Sequence, residues 1–157
     1  MANYEKLYEK INEIIGDLTP LKADCGVLCG HACCKGDENT GMRLFPGEIS
    51  NLKVKETEDG TLLAVCEGRC NRNERPLSCK IFPFFPCVDG DKKVYVELDM
   101  RAKRLCPLVE HADEIRFDPR FLRAVERVGK ILVKDEKCFE FLMKNTEEID
   151  MFGALLG

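Results

Sequence analysis

Ten cysteines in 157 residues are the groups most able to do chemistry in this chain. Cys25, Cys29, Cys33 and Cys34 form one cluster, Cys66 and Cys70 a second pair, and Cys79 and Cys106 follow singly. Thiolates are soft ligands that suit zinc, iron and iron–sulfur clusters, and four of them complete a tetrahedral centre without solvent. Eight would fill two such centres or one larger one. The intervals in the first cluster are three residues, not the two of common zinc knuckles, so density speaks for metal while spacing does not choose which metal. Gly26, Gly30 and Gly36 punctuate this cluster and Gly68 lies between Cys66 and Cys70. Glycine there lets a backbone take positive φ and bring amides toward sulfur.

The remaining candidates have plainer accounts. Cys138 stands one helical turn from Leu142 in an apolar stripe and reads as a buried structural thiol. Cys87, in an aromatic and proline-rich run, reads as core. His31 lies inside the first cluster, where many sulfurs compete with it as a ligand, and His111 has no partner pattern and reads as a surface residue. Phe82, Phe84 and Phe85 read as core that would shield a metal. Arg75 is open to two accounts, a counter-charge to a thiolate centre or an ordinary salt bridge.

Other classes are weakened by composition. A net charge of −4 with acids and bases mixed along the chain shows no basic stripe for a phosphate backbone, so no nucleic-acid partner is expected. The polar start at Met1-Ala2-Asn3-Tyr4-Glu5-Lys6 and the lack of a run near 20 apolar residues point to a cytoplasmic protein with no membrane partner. A reducing compartment argues against a disulfide framework. A radical-SAM pattern of Cys-x3-Cys-x2-Cys fails at Ala32, and the chain is short of the roughly 200 residues of a full barrel. There is no phosphate loop, nucleophile–base pair or His-Glu-His hydrolase pattern to name a catalytic residue.

The elements that must position the cysteines can be read from periodicity. Tyr4, Leu7, Tyr8, Ile11, Ile14, Ile15 and Leu18 draw one helical stripe, which Thr19-Pro20 is expected to stop. Pro46-Gly47-Glu48-Ile49 is expected to open a short helix. Asp59-Gly60 and Asp89-Gly90 predict hairpin turns, the second between Phe84-Phe85-Pro86-Cys87-Val88 and Val94-Tyr95-Val96-Glu97-Leu98. Asp118 with Pro119 predicts a capped helix bearing Phe121, Leu122, Val125, Val128 and Leu132, and Asp135 a further cap. The sum is a small α+β single domain spanning 1–157, helices packed around a short antiparallel sheet and cysteine-rich metal-binding loops.

Cys25 through the Cys33-Cys34 pair, then Cys66 and Cys70, then Arg75-Pro76-Leu77-Ser78-Cys79-Lys80-Ile81-Phe82-Pro83-Phe84, resemble the YkgJ-like cysteine-cluster family, a zinc- or iron-chelating CxxCxxCC domain. The Arg-Pro-x-x-Cys-x-x-Phe-Pro run is the most specific part. The resemblance covers about 25–106, with helical flanks at 1–20 and 107–157. It implies Cys25, Cys29, Cys33, Cys34, Cys66, Cys70, Cys79 and Cys106 as metal ligands. This chain departs from the family in its wider first cluster and in Lys80, where arginine is usual. The expected function is a module that binds a metal ion, zinc or alternatively iron or an iron–sulfur cluster. Redox or methylase-like chemistry and a metal chaperone or thiol-redox sensor are the alternatives.

Overall fold

A computed structural model describes residues 4–21, 42–50, 53–58, 60–65, 75–103 and 107–156. Helix α1, Tyr4–Ile15, buries Ile11 and Ile15 from the predicted stripe. It ends earlier than Thr19-Pro20, because Gly16 takes φ +50° and its N–H closes onto the Asn12 carbonyl at 2.8 Å. Three short strands follow: β1 (Met42–Arg43), β2 (Lys53–Glu56) and β3 (Leu62–Val65). They form an antiparallel sheet in the order β1-β3-β2, with Met42 opposite Ala64 and Val54 opposite the same residue on the other side. Gly60, at φ +85°, turns the chain between β2 and β3 as its Asp-Gly signal predicts.

The helix expected at Pro46-Gly47-Glu48-Ile49 is instead a turn. Gly47 has φ +76° and the Glu48 N–H reaches the Phe45 carbonyl at 3.0 Å, so proline and glycine serve as the two central residues of a type II turn. A Cβ on Gly47 would lie within 2.2 Å of the Tyr4 ring, so the turn also needs glycine for close packing on α1.

The cysteine-bearing signature becomes a short helix α2, Leu77–Ile81, leading through a cis Phe82–Pro83 peptide into β4, Phe84–Val88. β4 pairs with β5, Val94–Leu98, in the predicted hairpin, Phe84 opposite Leu98 and Val88 opposite Val94. Asp89 organises its turn by accepting the N–H groups of Asp91 and Lys93. Lys92, not Gly90, takes the left-handed position, at φ 64°. After the short helix α3, Pro107–Glu110, come α4, Pro119–Leu132, and α5, Glu136–Leu156. Both expected caps form: Asp118 accepts from the Arg120 N–H, and Asp135 from that of Cys138. The α+β class is therefore as read, although the strands make two small sheets, not one.

Every residue of β4 is buried, which requires cover on both faces. Alternation sends Phe84, Pro86 and Val88 one way and Phe85 and Cys87 the other. The first set meets α4: Phe84 packs at 6.2 Å from the Phe121 ring, and Gly129 lies against Pro86 and Val94. The second set meets α5. Phe85 stacks on Phe45, which packs on Phe141 of α5, and the strand's backbone also reaches α5, the Val88 N–H donating to Thr146 Oγ1 at 3.1 Å. The β4–β5 hairpin is thus the middle of three layers, and Cys87 and Cys138 are both fully buried in the core around it. A second small cluster joins Phe82, Ala102, Leu108 and Val109 with Leu21 and Met42.

Gly129 tests the α4 contact. A Cβ there would meet Pro86 Cβ and Val94 Cγ1 at 2.7 Å, so helix and sheet would have to separate. Gly129→Ala should lower the free energy of unfolding in urea by about 1–3 kcal/mol, although alanine is the better helix former.

Candidate functional site

Of the eight expected ligands, Cys25, Cys29, Cys33, Cys34, Cys66, Cys70 and Cys106 lie outside the described residues, as does His31. Cys79 is described, half-buried on α2 with its N–H on the Pro76 carbonyl. Among the described residues, no group of three or more His, Cys, Asp or Glu side chains is placed to hold a metal ion. This finding corrects the metal-binding function expected from the cysteines as far as the described residues reach, Cys79 being the one expected ligand among them. The three described thiols are dispersed. Cys79, Cys87 and Cys138 occupy α2, β4 and α5, whereas a thiolate centre needs its sulfurs gathered about 2.3 Å from one ion.

The two buried thiols have surroundings that suppress reactivity. Burial pushes the Cys87 thiol up to about 12, against a hydrogen bond with Thr146 that acts the other way. Burial likewise pushes Cys138 up to about 12, helped by Asp135 and opposed by the Tyr8 hydroxyl 3.9 Å away. That hydroxyl is itself held by the Pro46 carbonyl at 2.6 Å. Both cysteines are core, as read from their flanking residues. His111 is exposed beside Glu114 at 3.7 Å, again as read.

The Arg75–Phe84 signature forms a structural joint. Glu48 accepts the N–H of Phe45 at 2.9 Å and of Leu77 at 2.7 Å, tying the turn after β1 to the first residue of α2. Ser78 Oγ donates to the Arg43 carbonyl at 2.6 Å, and the Asp99 N–H reaches the Pro83 carbonyl at 2.8 Å. Arg43 continues the joint toward α5, where it shares Glu148 with Arg101. Arg101 also grips Asp99 and lies 5.5 Å over the Phe85 ring. Burial works to raise the Glu148 carboxyl, but the two guanidinium groups together hold it below its usual range. For Glu48, burial outweighs its two N–H partners and nearby Lys80, and its carboxyl is raised.

Charge is divided between the two helices that cover the hairpin. After Pro119, every exposed residue of α4 is basic: Arg120, Arg123, Arg127 and Lys130, with exposed Lys134 one residue past the C-cap Val133. Their intervals of three, four, three and four keep them on one line of the helix, opposite buried Phe121, Val125, Val128 and Leu132. On the far side of the hairpin, α5 turns Glu136, Glu140, Glu147 and Asp150 outward together with Lys137 and Lys144, so its exposed charge is mixed and mainly acidic. The expectation of no basic stripe is corrected here. Mixing along the chain conceals it, because the apolar residues between the cations face elsewhere and the one acid among them, Glu126, lies beside the line and pairs with Lys130. Helical periodicity applied to charge, not only to apolar residues, is the signal that would have found it.

No family model, curated protein or solved structure matches this chain. Among the described residues, no helix is long and apolar enough to cross a membrane.

Two measurements test this description. Glu48→Ala leaves two backbone N–H groups without their carboxylate and should cost on the order of 2–4 kcal/mol in urea unfolding, while Glu48→Gln retains an acceptor and should cost less. Because the folded state raises the Glu48 carboxyl above 4.5, the folded form holds that proton more tightly than the unfolded chain. Wild-type stability should therefore fall relative to Glu48→Gln as pH rises above 4.5, and the difference should level off above the folded-state pKa. Separately, Cys87 and Cys138 should react with iodoacetamide at pH 8 on the order of a hundredfold or more slowly in the native protein than in urea, as read by peptide mass spectrometry.

Proposed function

We propose that the chain is a cytoplasmic member of the YkgJ-like cysteine-cluster family and acts as a protein-docking module through the charged outer faces of its two C-terminal helices. The family reading rests on the Arg75–Phe84 run of the sequence. The docking reading is carried by one observation, the line of cations on α4. Arg123, Arg127 and Lys134 make no ion pair among the described residues, and Arg120 and Lys130 are paired only within their own helix region, with Asp118 and Glu126. A helix whose outer face serves only solvation usually mixes signs at i,i+4, which stabilises it by a few tenths of a kcal/mol per pair. This face forgoes most of those pairs and keeps its cations available.

Chromatography tests the reading directly. A protein of net charge −4 should pass a cation exchanger at pH 7 unless one face presents concentrated positive charge. The native protein should be retained at low salt and released as ionic strength approaches about 0.15 M. Arg123→Glu with Arg127→Glu should abolish retention while circular dichroism and urea unfolding stay unchanged. Flow-through of the native protein would reject the docking face.

A further inference from the structure

The cation line on α4 has a length, a spacing and a boundary, and together these select an occupant. From Arg120 to Lys134 the line spans fourteen residues, or about 21 Å of helix axis, with one charge every 5 Å or so. Its outward edge holds no exposed apolar residue, so the complementarity it offers is electrostatic. The whole chain carries −4, so everything other than these five cations carries −9. A duplex backbone extends well beyond 21 Å and would meet a molecule whose remaining charge is acidic in sum, whereas a short acidic segment matches the ridge in length. An α-helix with carboxylates at alternating three- and four-residue intervals repeats its charges at the same rise, so each can face one cation when the two helices lie side by side.

We propose that the outer face of α4 docks an acidic helical segment of a protein partner, with Arg123 and Arg127 at the centre of the contact. This rests on the docking reading above and names the chemistry of its partner. Arg123 and Arg127 can each grip a carboxylate through two parallel N–H donors, and neither has to leave an existing ion pair to do so. Arg120 is held by Asp118 at 3.0 Å and Lys130 by Glu126 at 3.1 Å, so the cations flanking Arg123 and Arg127 are partly neutralised while these two, and Lys134 at the far end, are not.

The test uses the full chain and a fluorescent, hydrocarbon-stapled peptide of about five helical turns with glutamate at alternating three- and four-residue spacing. A peptide of the same composition with its glutamates distributed around the helix, and a short DNA duplex, are the competitors. Fluorescence anisotropy at low salt should show binding to the first peptide that weakens roughly tenfold as salt rises to about 0.15 M. Arg123→Glu with Arg127→Glu should reduce affinity by roughly tenfold or more, while the charge-matched control Lys10→Glu with Lys93→Glu should leave it within about twofold. Equal binding of the scrambled peptide, tighter binding of the duplex, or equal loss in the control would each overturn the proposal. Absence of peptide binding by a protein that the cation exchanger still retains would reject the acidic-helix partner and leave the docking face standing. Absence of both would reject the two together.

Discussion

The two-stranded hairpin β4–β5 cannot stand alone in water, and its first strand has no residue exposed to solvent. Covering it from both sides is the condition on which the rest of the arrangement depends. Helix α4 supplies one cover and α5 the other, although only Val133, Lys134 and Asp135 separate them in sequence. The close approach of Gly129 to Pro86 and the reach of Thr146 to the Val88 N–H show how little space each cover leaves. Once these inward faces are set, the outward faces follow by geometry. The cations of α4 and the carboxylates of α5 are driven to opposite sides of the molecule.

The polar groups that remain inside act as fasteners between layers. Glu148 on α5 lies between Arg43 of the first sheet and Arg101 beside the second, so one carboxylate joins three parts of the fold. Glu48 does the same for the turn after β1 and the start of α2. The two carboxylates respond to their surroundings in opposite senses. Glu148 has two cations and is held ionised, whereas Glu48 has mainly backbone donors and is raised by burial. The signature run from Arg75 to Phe84 thereby becomes a tightly tethered joint, with Cys79 on its short helix.

Much of this framework was legible from local signals. The caps at Asp118 and Asp135, the Asp-Gly hairpins and the apolar stripes of α1 and α4 are each written in adjacent residues, because capping, turn chemistry and helical period act over a few positions. The core assignments of Cys87 and Cys138 follow from the same apolar neighbours. Local signals misled where two devices share residues. Pro46-Gly47 suits a helix start or a type II turn, and the nearby Tyr4 ring selects the turn. Gly16 ended α1 before Thr19-Pro20 because a left-handed glycine satisfies helix carbonyls before a proline is reached.

Sequence alone determined the α+β class, the hairpins, the helix starts and the density of thiols, because these depend on composition and near neighbours. It did not determine what those thiols do, and among the described residues the tertiary structure shows no ligand group for the metal-binding function drawn from them. Tertiary structure also decided which side of each helix faces water. That choice rests on burying β4 from both faces, a long-range demand. It converts charges that alternate along the chain into one basic line on α4 and a mixed, mainly acidic face on α5.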